Sequence, residues 1–140
     1  MFLLPPRPGS LGSVKSSNVI RVLAVAKNSL MREGLALLIR LQPDMQLVGV
    51  VATAEEALEL YAGHRPDVTL MDLDLPSEAA LRAIREIRVR DSLARIIGLT
   101  TYELDAAWAA ALAAGAWHCV GKDRLGDSLP GLIRNGALSD

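Results

Sequence analysis

Short aliphatic runs alternate five times with longer segments of helical period, and this alternation constrains the fold more than any other feature. "VIRVLAVA" (19–26) is the first strand-like run, and "SLMREGLALLIRL" (29–41) follows as a helix with Met31, Leu35 and Leu38 on one face. Pro43 stops that helix, and "MQLVGVV" (45–51) is the second strand. Thr53 and Glu56 have capping-box spacing, which starts a helix that Gly63 is placed to end. "DVTLMD" (67–72) is the third strand; Pro76 and Ser77 then open a helix in which Ala80, Ile84 and Ile87 share a face. "ARIIGLT" (94–100), the helix "LDAAWAAALAA" (104–114), "AWHCV" (116–120) and a weak final helix over 128–138 complete the series. Five strands alternating with five helices make an α/β fold, a parallel sheet covered on both faces.

The remaining totals agree with one such domain. Hydrophobic residues make up 51% and charged residues 22%, a globular balance, and aromatics only 4%, which favours aliphatic helix-on-sheet packing. A net charge of −1 argues against direct nucleic-acid binding. The lone Cys119 allows no internal disulfide and no cysteine metal cluster, which fits a reducing, cytoplasmic location. No apolar run approaches the roughly 20 residues that span a bilayer. Residues 1–18 read as a flexible Gly/Ser/Pro tail, and 19–138 as the domain.

In open sheets of this kind, working residues sit at the carboxyl ends of the strands. Those ends carry Ala26 and Lys27, Asp72, Thr100 and Lys122. Together with "MREGLALLI", "TAEEALEL", "RPDVTLMDLDLP", "LTTY", "AAGA" and "GKD", they resemble the receiver domain of bacterial response regulators, the CheY-like fold. "REGL" and "RPDVTLMD" are most similar in style to NarL/FixJ-type receivers. The resemblance covers about residues 19–136 and implies a doubly wound, flavodoxin-like sheet of strand order 2-1-3-4-5. It also implies that Asp72 is the phospho-accepting aspartate and Thr100 the hydroxyl that turns toward the phosphoryl group. Lys122 is then the lysine that pairs with that group, and Pro76 the proline after the phosphorylation loop.

Several positions depart from the pattern. Where the family carries an acidic pair that holds Mg²⁺, this chain has Ala26 and Lys27. The aromatic switch position is Cys119, and the small run after the proline is "SEAA". In this fold Lys27 ends beside Asp72. At about 5 Å and an effective dielectric near 20, its repulsion of a divalent ion is of order 6–7 kcal/mol before screening. The expectation is weak or absent Mg²⁺ binding, with no other cofactor or metal. Lys27 either forms a fixed ion pair with Asp72, points into solvent, or supports phosphotransfer itself. Asp74 reads as a solvated loop acid.

The reading of function is a degenerate receiver in two-component phosphorelay signalling, not an enzyme. Its partners are a sensor histidine kinase or another signalling protein. The alternative is a receiver still phosphorylated at Asp72 that regulates a DNA-binding output domain. "DLD" also resembles the paired acids of haloacid-dehalogenase-like phosphatases, but those lie on the first strand of that family and here on the third. No glycine-rich phosphate loop follows the first strand, against a nucleotide site. His64 and His118 read as surface residues, and Arg82, Arg85, Arg88 and Arg90 as a solvated helix side. Trp108 is either an exposed anchor for a partner, including a second copy through the fourth-to-fifth-helix region, or part of the core.

Overall fold

The computed structural model describes residues 19–75, 77–101 and 106–138, without the side chain of Ser77. The expectations for residues 1–18, for Pro76 and for the helix start at Leu104 lie outside these residues. The elements run β1 (Ile20–Val25), α1 (Ser29–Arg40), β2 (Met45–Val51), α2 (Ala54–His64), β3 (Val68–Asp72) and α3 (Ser77–Arg90). They continue with β4 (Ile96–Thr100), α4 (Ala106–Ala114), β5 (His118–Gly121), a 3-10 turn (Lys122–Arg124) and α5 (Leu125–Leu138). The strands form one sheet in the order β2-β1-β3-β4-β5, with every pairing parallel. The expected architecture and strand order are thus those observed.

Alternation along the strands divides the core between the two faces. Val22, Ala24 and Ala26 pack with Leu35 and Ile39 of α1 and with Leu129 and Ile133 of α5. Leu23 and Val25 point the other way, toward Ala57 and Tyr61 of α2, Ala80, Ile84 and Ile87 of α3, and Ala111 of α4. Ala80, Ile84 and Ile87 are all but fully buried, as their spacing predicts.

Local chemistry sets the helix ends. The Asn28 side chain accepts the Met31 N–H at 3.0 Å and caps α1 at the corner where β1 turns out of the sheet. Thr53 caps α2 by accepting the Glu56 N–H at 3.1 Å, and the Glu56 carboxylate reaches back to the Ala52 N–H and the Thr53 hydroxyl.

Gly63 does not end α2, contrary to expectation. The helix runs on to His64, and Arg65 takes the left-handed conformation at φ 42°. Pro66 disfavours the right-handed helical region for the residue before it. The Arg65 guanidinium is in turn fixed 3.1 Å from the carboxylate of Asp91, which is buried and also accepts the Tyr61 hydroxyl at 2.6 Å. α5 starts earlier than its proline suggests, at Leu125, and carries Pro130 inside it. Leu125, Leu129, Ile133 and Gly136 lay one side of the helix onto the sheet, and that burial outweighs the proline's cost.

Candidate functional site at the carboxyl ends of the strands

Asp72 closes β3 and is 2% exposed. Parallel pairing sets Val25 of β1 beside Met71, so the chain leaves β1 at Ala26 level with Asp72. On the other side, Asp72 pairs with Leu99, and Thr100 pairs with Gly121. Lys122 follows directly, as the first residue of the 3-10 turn. Register therefore brings the tips of β1, β3, β4 and β5 to one corner.

The Lys122 ammonium lies 2.8 Å from Asp72 Oδ1 and 2.6 Å from Asp74 Oδ2. Asp72 Oδ1 also accepts the Asp74 backbone N–H at 2.9 Å. The Thr101 hydroxyl donates to Asp74 Oδ2 at 2.6 Å. Burial pushes the Asp74 carboxyl up, but Lys122 and Thr101 together outweigh it and hold the group below the usual carboxylate range. Burial likewise pushes the Lys122 ammonium down, while Asp72 and Asp74 outweigh it and raise it above the ordinary lysine value.

The expectation for Asp74 changes here. Asp74 is not a free loop acid. Although its side chain remains half-exposed, it is the second anion on Lys122. The signal was the two-residue spacing in "MDLDLP", because the turn after β3 folds Asp74 back over Asp72. Thr101 was missed altogether; it lies one residue past the strand end, where Thr100 is buried.

The Lys27–Asp72 ion pair is not formed. Lys27 is exposed, pairs with no carboxylate among the described residues, and lines the same groove as Asp72. Lys122 already holds Asp72, and a flexible, hydrated ammonium at the rim gains more from water than from a shared carboxylate. Arg32 also fixes the backbone here: its guanidinium donates to the carbonyls of Ala26 at 2.9 Å and Lys27 at 2.7 Å. Ala26 itself is fully buried.

The β1 tip therefore offers a methyl group, a cation and two engaged carbonyls. This donor set does not fit a divalent ion bound between β1 and β3. Among the described residues, no group of three or more His, Cys, Asp or Glu side chains could hold a metal.

Cys119 is buried beneath this corner, with its Sγ 4.0 Å from the Trp108 carbonyl. Trp108 is not an exposed anchor; it is half-buried against the core shared by α2, α3 and α4. His64 and His118 are exposed, as are Arg82, Arg85 and Arg90. Arg88 is half-buried and donates to the Ser92 carbonyl.

The response regulator receiver domain matches residues 22–133 in sequence. The chain belongs to the response regulator receiver domain family. The receiver is 30% identical over 117 residues to the DNA-binding transcriptional activator DevR/DosR of Mycobacterium tuberculosis, covering 84% of this chain and 54% of that protein. It is 28% identical over 117 residues to the transcriptional regulatory protein DesR of Bacillus subtilis, covering 84% of this chain and 58% of that protein. Among solved structures, the response regulator domain of Thermotoga maritima CheB matches with a TM-score of 0.79 at 30% identity, over 87% of this chain and 98% of that one. A LuxR-family response regulator from Aurantimonas matches with a TM-score of 0.73 at 32% identity, over 84% and 86%. This receiver spans little more than half the length of DesR and DevR/DosR. It is a module of two-component signalling, and among the described residues no helix is long and apolar enough to cross a membrane.

Proposed function

We propose that this receiver keeps its phospho-acceptor carboxylate at Asp72 but has lost most of its Mg²⁺-dependent phosphorylation. It acts in two-component signalling chiefly as a protein-interaction module. The observation that carries this reading is the chemistry of the β1 tip. Phosphoryl transfer to a carboxylate needs the charge on the phosphoryl oxygens neutralised as the Asp72 oxygen attacks phosphorus and the leaving group departs. Here the tip supplies no side-chain oxygen for a divalent ion, and Arg32 engages the two carbonyls. The cation that remains on Asp72 is Lys122, shared with Asp74.

In this reading Thr100 and Lys122 are the phosphoryl-facing pair, and Cys119 in place of an aromatic leaves no ring to rotate. The partner is a sensor histidine kinase or another signalling protein, with no direct contact to nucleic acid through this domain. The retained 2.8 Å contact between Lys122 and Asp72 favours a second reading, in which slow phosphorylation at Asp72 still governs a DNA-binding output.

Labelling with a small-molecule phosphodonor, with and without Mg²⁺, separates the two. The first reading expects no Mg²⁺-dependent acyl phosphate. An acyl phosphate that needs Mg²⁺ and disappears in Asp72→Asn would establish the second.

A further inference from the structure

A groove of about 880 Å³ follows α1 on the side of the start of α5 and opens at the Asp72 corner. That volume suits a small-molecule site. Its walls are aliphatic. Met31, Leu35 and Leu38 run down about 10 Å of α1, Leu125 of α5 also lines it, and Leu30 lines it while remaining 75% exposed. Its polar end carries Lys27, Asp72, Asp74 and Lys122.

The sequence keeps this space open. Gly34, in the middle of α1, and Gly126, in the first turn of α5, both line the groove. A Cβ added at either would meet nothing within 4 Å, so the domain's own packing requires neither glycine. Glycine within a helix costs stability relative to alanine. The chain carries that cost twice along one groove, where a larger side chain would fill it.

The charges at the polar end select a ligand. Lys122 is committed to Asp72 at 2.8 Å and Asp74 at 2.6 Å, and the Thr101 hydroxyl is a second donor to Asp74. Arg32 is committed to the carbonyls of Ala26 and Lys27. Lys27 is exposed and pairs with no carboxylate among the described residues, so the uncommitted charge in the groove is one ammonium. α1 begins beside it with no acid in its first turn, and the helix end adds partial positive charge. A cationic head would compete with Lys122 and meet Lys27, and a dianion would find a single free partner. A carboxylate matches. Among the described residues no aromatic side chain lines the groove, so the body that suits its walls is an aliphatic chain and not a stacked ring.

We infer that this groove is a binding site for an aliphatic carboxylate, with its head on Lys27 and its hydrocarbon chain along α1 against Leu35, Leu38 and Leu125. The site stands whichever reading of Asp72 holds, because it uses neither a phosphoryl group nor a divalent ion.

Isothermal titration calorimetry of the full chain with sodium decanoate, kept below its micelle concentration, tests this. One saturable site per chain is expected. Each buried methylene multiplies affinity about fourfold, so octanoate should bind about fifteenfold more weakly. Decyltrimethylammonium, with the same chain and the opposite head charge, should show no saturable binding. Lys27→Glu should weaken decanoate about tenfold, since an attracting charge becomes a repelling one. Gly34→Leu fills the groove and should abolish binding with unchanged circular dichroism. Gly126→Leu gives a second block should Gly34→Leu fail to fold. No saturable heat with decanoate would overturn the proposal. So would binding that survives both glycine variants, equal affinity for octanoate or for decyltrimethylammonium, or an unchanged affinity in Lys27→Glu.

Discussion

The Asp74 carboxylate approaches the Lys122 ammonium to 2.6 Å, closer than the 2.8 Å contact between that ammonium and Asp72. One partly buried cation thus serves two carboxylates of unequal exposure, 3% for Asp72 and 50% for Asp74. The inequality decides which loss matters. Removing Asp74 discards a half-solvated contact that water largely replaces, so Asp74→Asn should cost under about 1 kcal/mol in urea unfolding. Lys122→Met strands the buried Asp72 without its cation and should cost about 3 kcal/mol.

The same cluster sets a pH dependence with two edges. The Asp74 carboxyl is depressed in the folded chain, so its contribution is present above its unfolded pKa and is lost as pH falls through the lower folded value. The Lys122 ammonium is raised, so its contribution is complete below the unfolded lysine pKa and disappears as pH rises through the folded value. Melting temperature against pH should therefore fall on both the acid and the strongly alkaline side. Asp74→Asn should remove part of the acid limb.

Far from the site, Tyr61, Arg65 and Asp91 tie the end of α2 to the end of α3. Tyr61 donates to Asp91 at 2.6 Å in a fully buried contact. Tyr61→Phe keeps the ring and deletes the donor, removing one hydrogen bond from a buried carboxylate. A loss of about 1–3 kcal/mol in chemical unfolding is expected.

Two glycines should respond oppositely to alanine. A Cβ at Gly131, inside α5, meets nothing within 4 Å, so Gly131→Ala should gain up to about 1 kcal/mol from helix propensity. A Cβ at Gly98, in the middle of β4, would come within 3.0 Å of both Cys119 Sγ and Leu73 Cδ1. Gly98→Ala should cost about 1–3 kcal/mol by overpacking. Thermal unfolding of both variants reads the contrast directly.

What was legible in the sequence follows from which interactions are local. The strands, their alternation and the capped start of α2 depend on neighbouring residues, and those expectations match the structure. The end of α2 does not, because Arg65 is positioned by an ion pair to Asp91, 26 residues away, as well as by the adjacent Pro66. The corner formed by Asp72, Thr100 and Lys122 was readable because strand ends in a parallel sheet converge by topology. The side-chain connections within it were not. For Lys27 the sequence leaves an ion pair with Asp72, a solvent-facing side chain and a role in phosphotransfer all open, because proximity alone does not say which of two lysines reaches the carboxylate. Asp74 and Thr101 belong to turns just past strand ends, where orientation is set by the turn and not by the period of two. Arg32 sits on a helix of clear periodicity, but its backbone clamp on the β1 tip emerges only when strand and helix are seen together.

The central claim is that the β1 tip cannot supply a divalent ion to Asp72. Titration of Mg²⁺ together with beryllofluoride, a phosphoryl analogue, followed by melting temperature, tests it most directly. The account predicts no saturable rise for the parent chain, and a clear rise once Ala26→Glu and Lys27→Asp are introduced together. A saturable rise in the parent that vanishes in Asp72→Asn would contradict it.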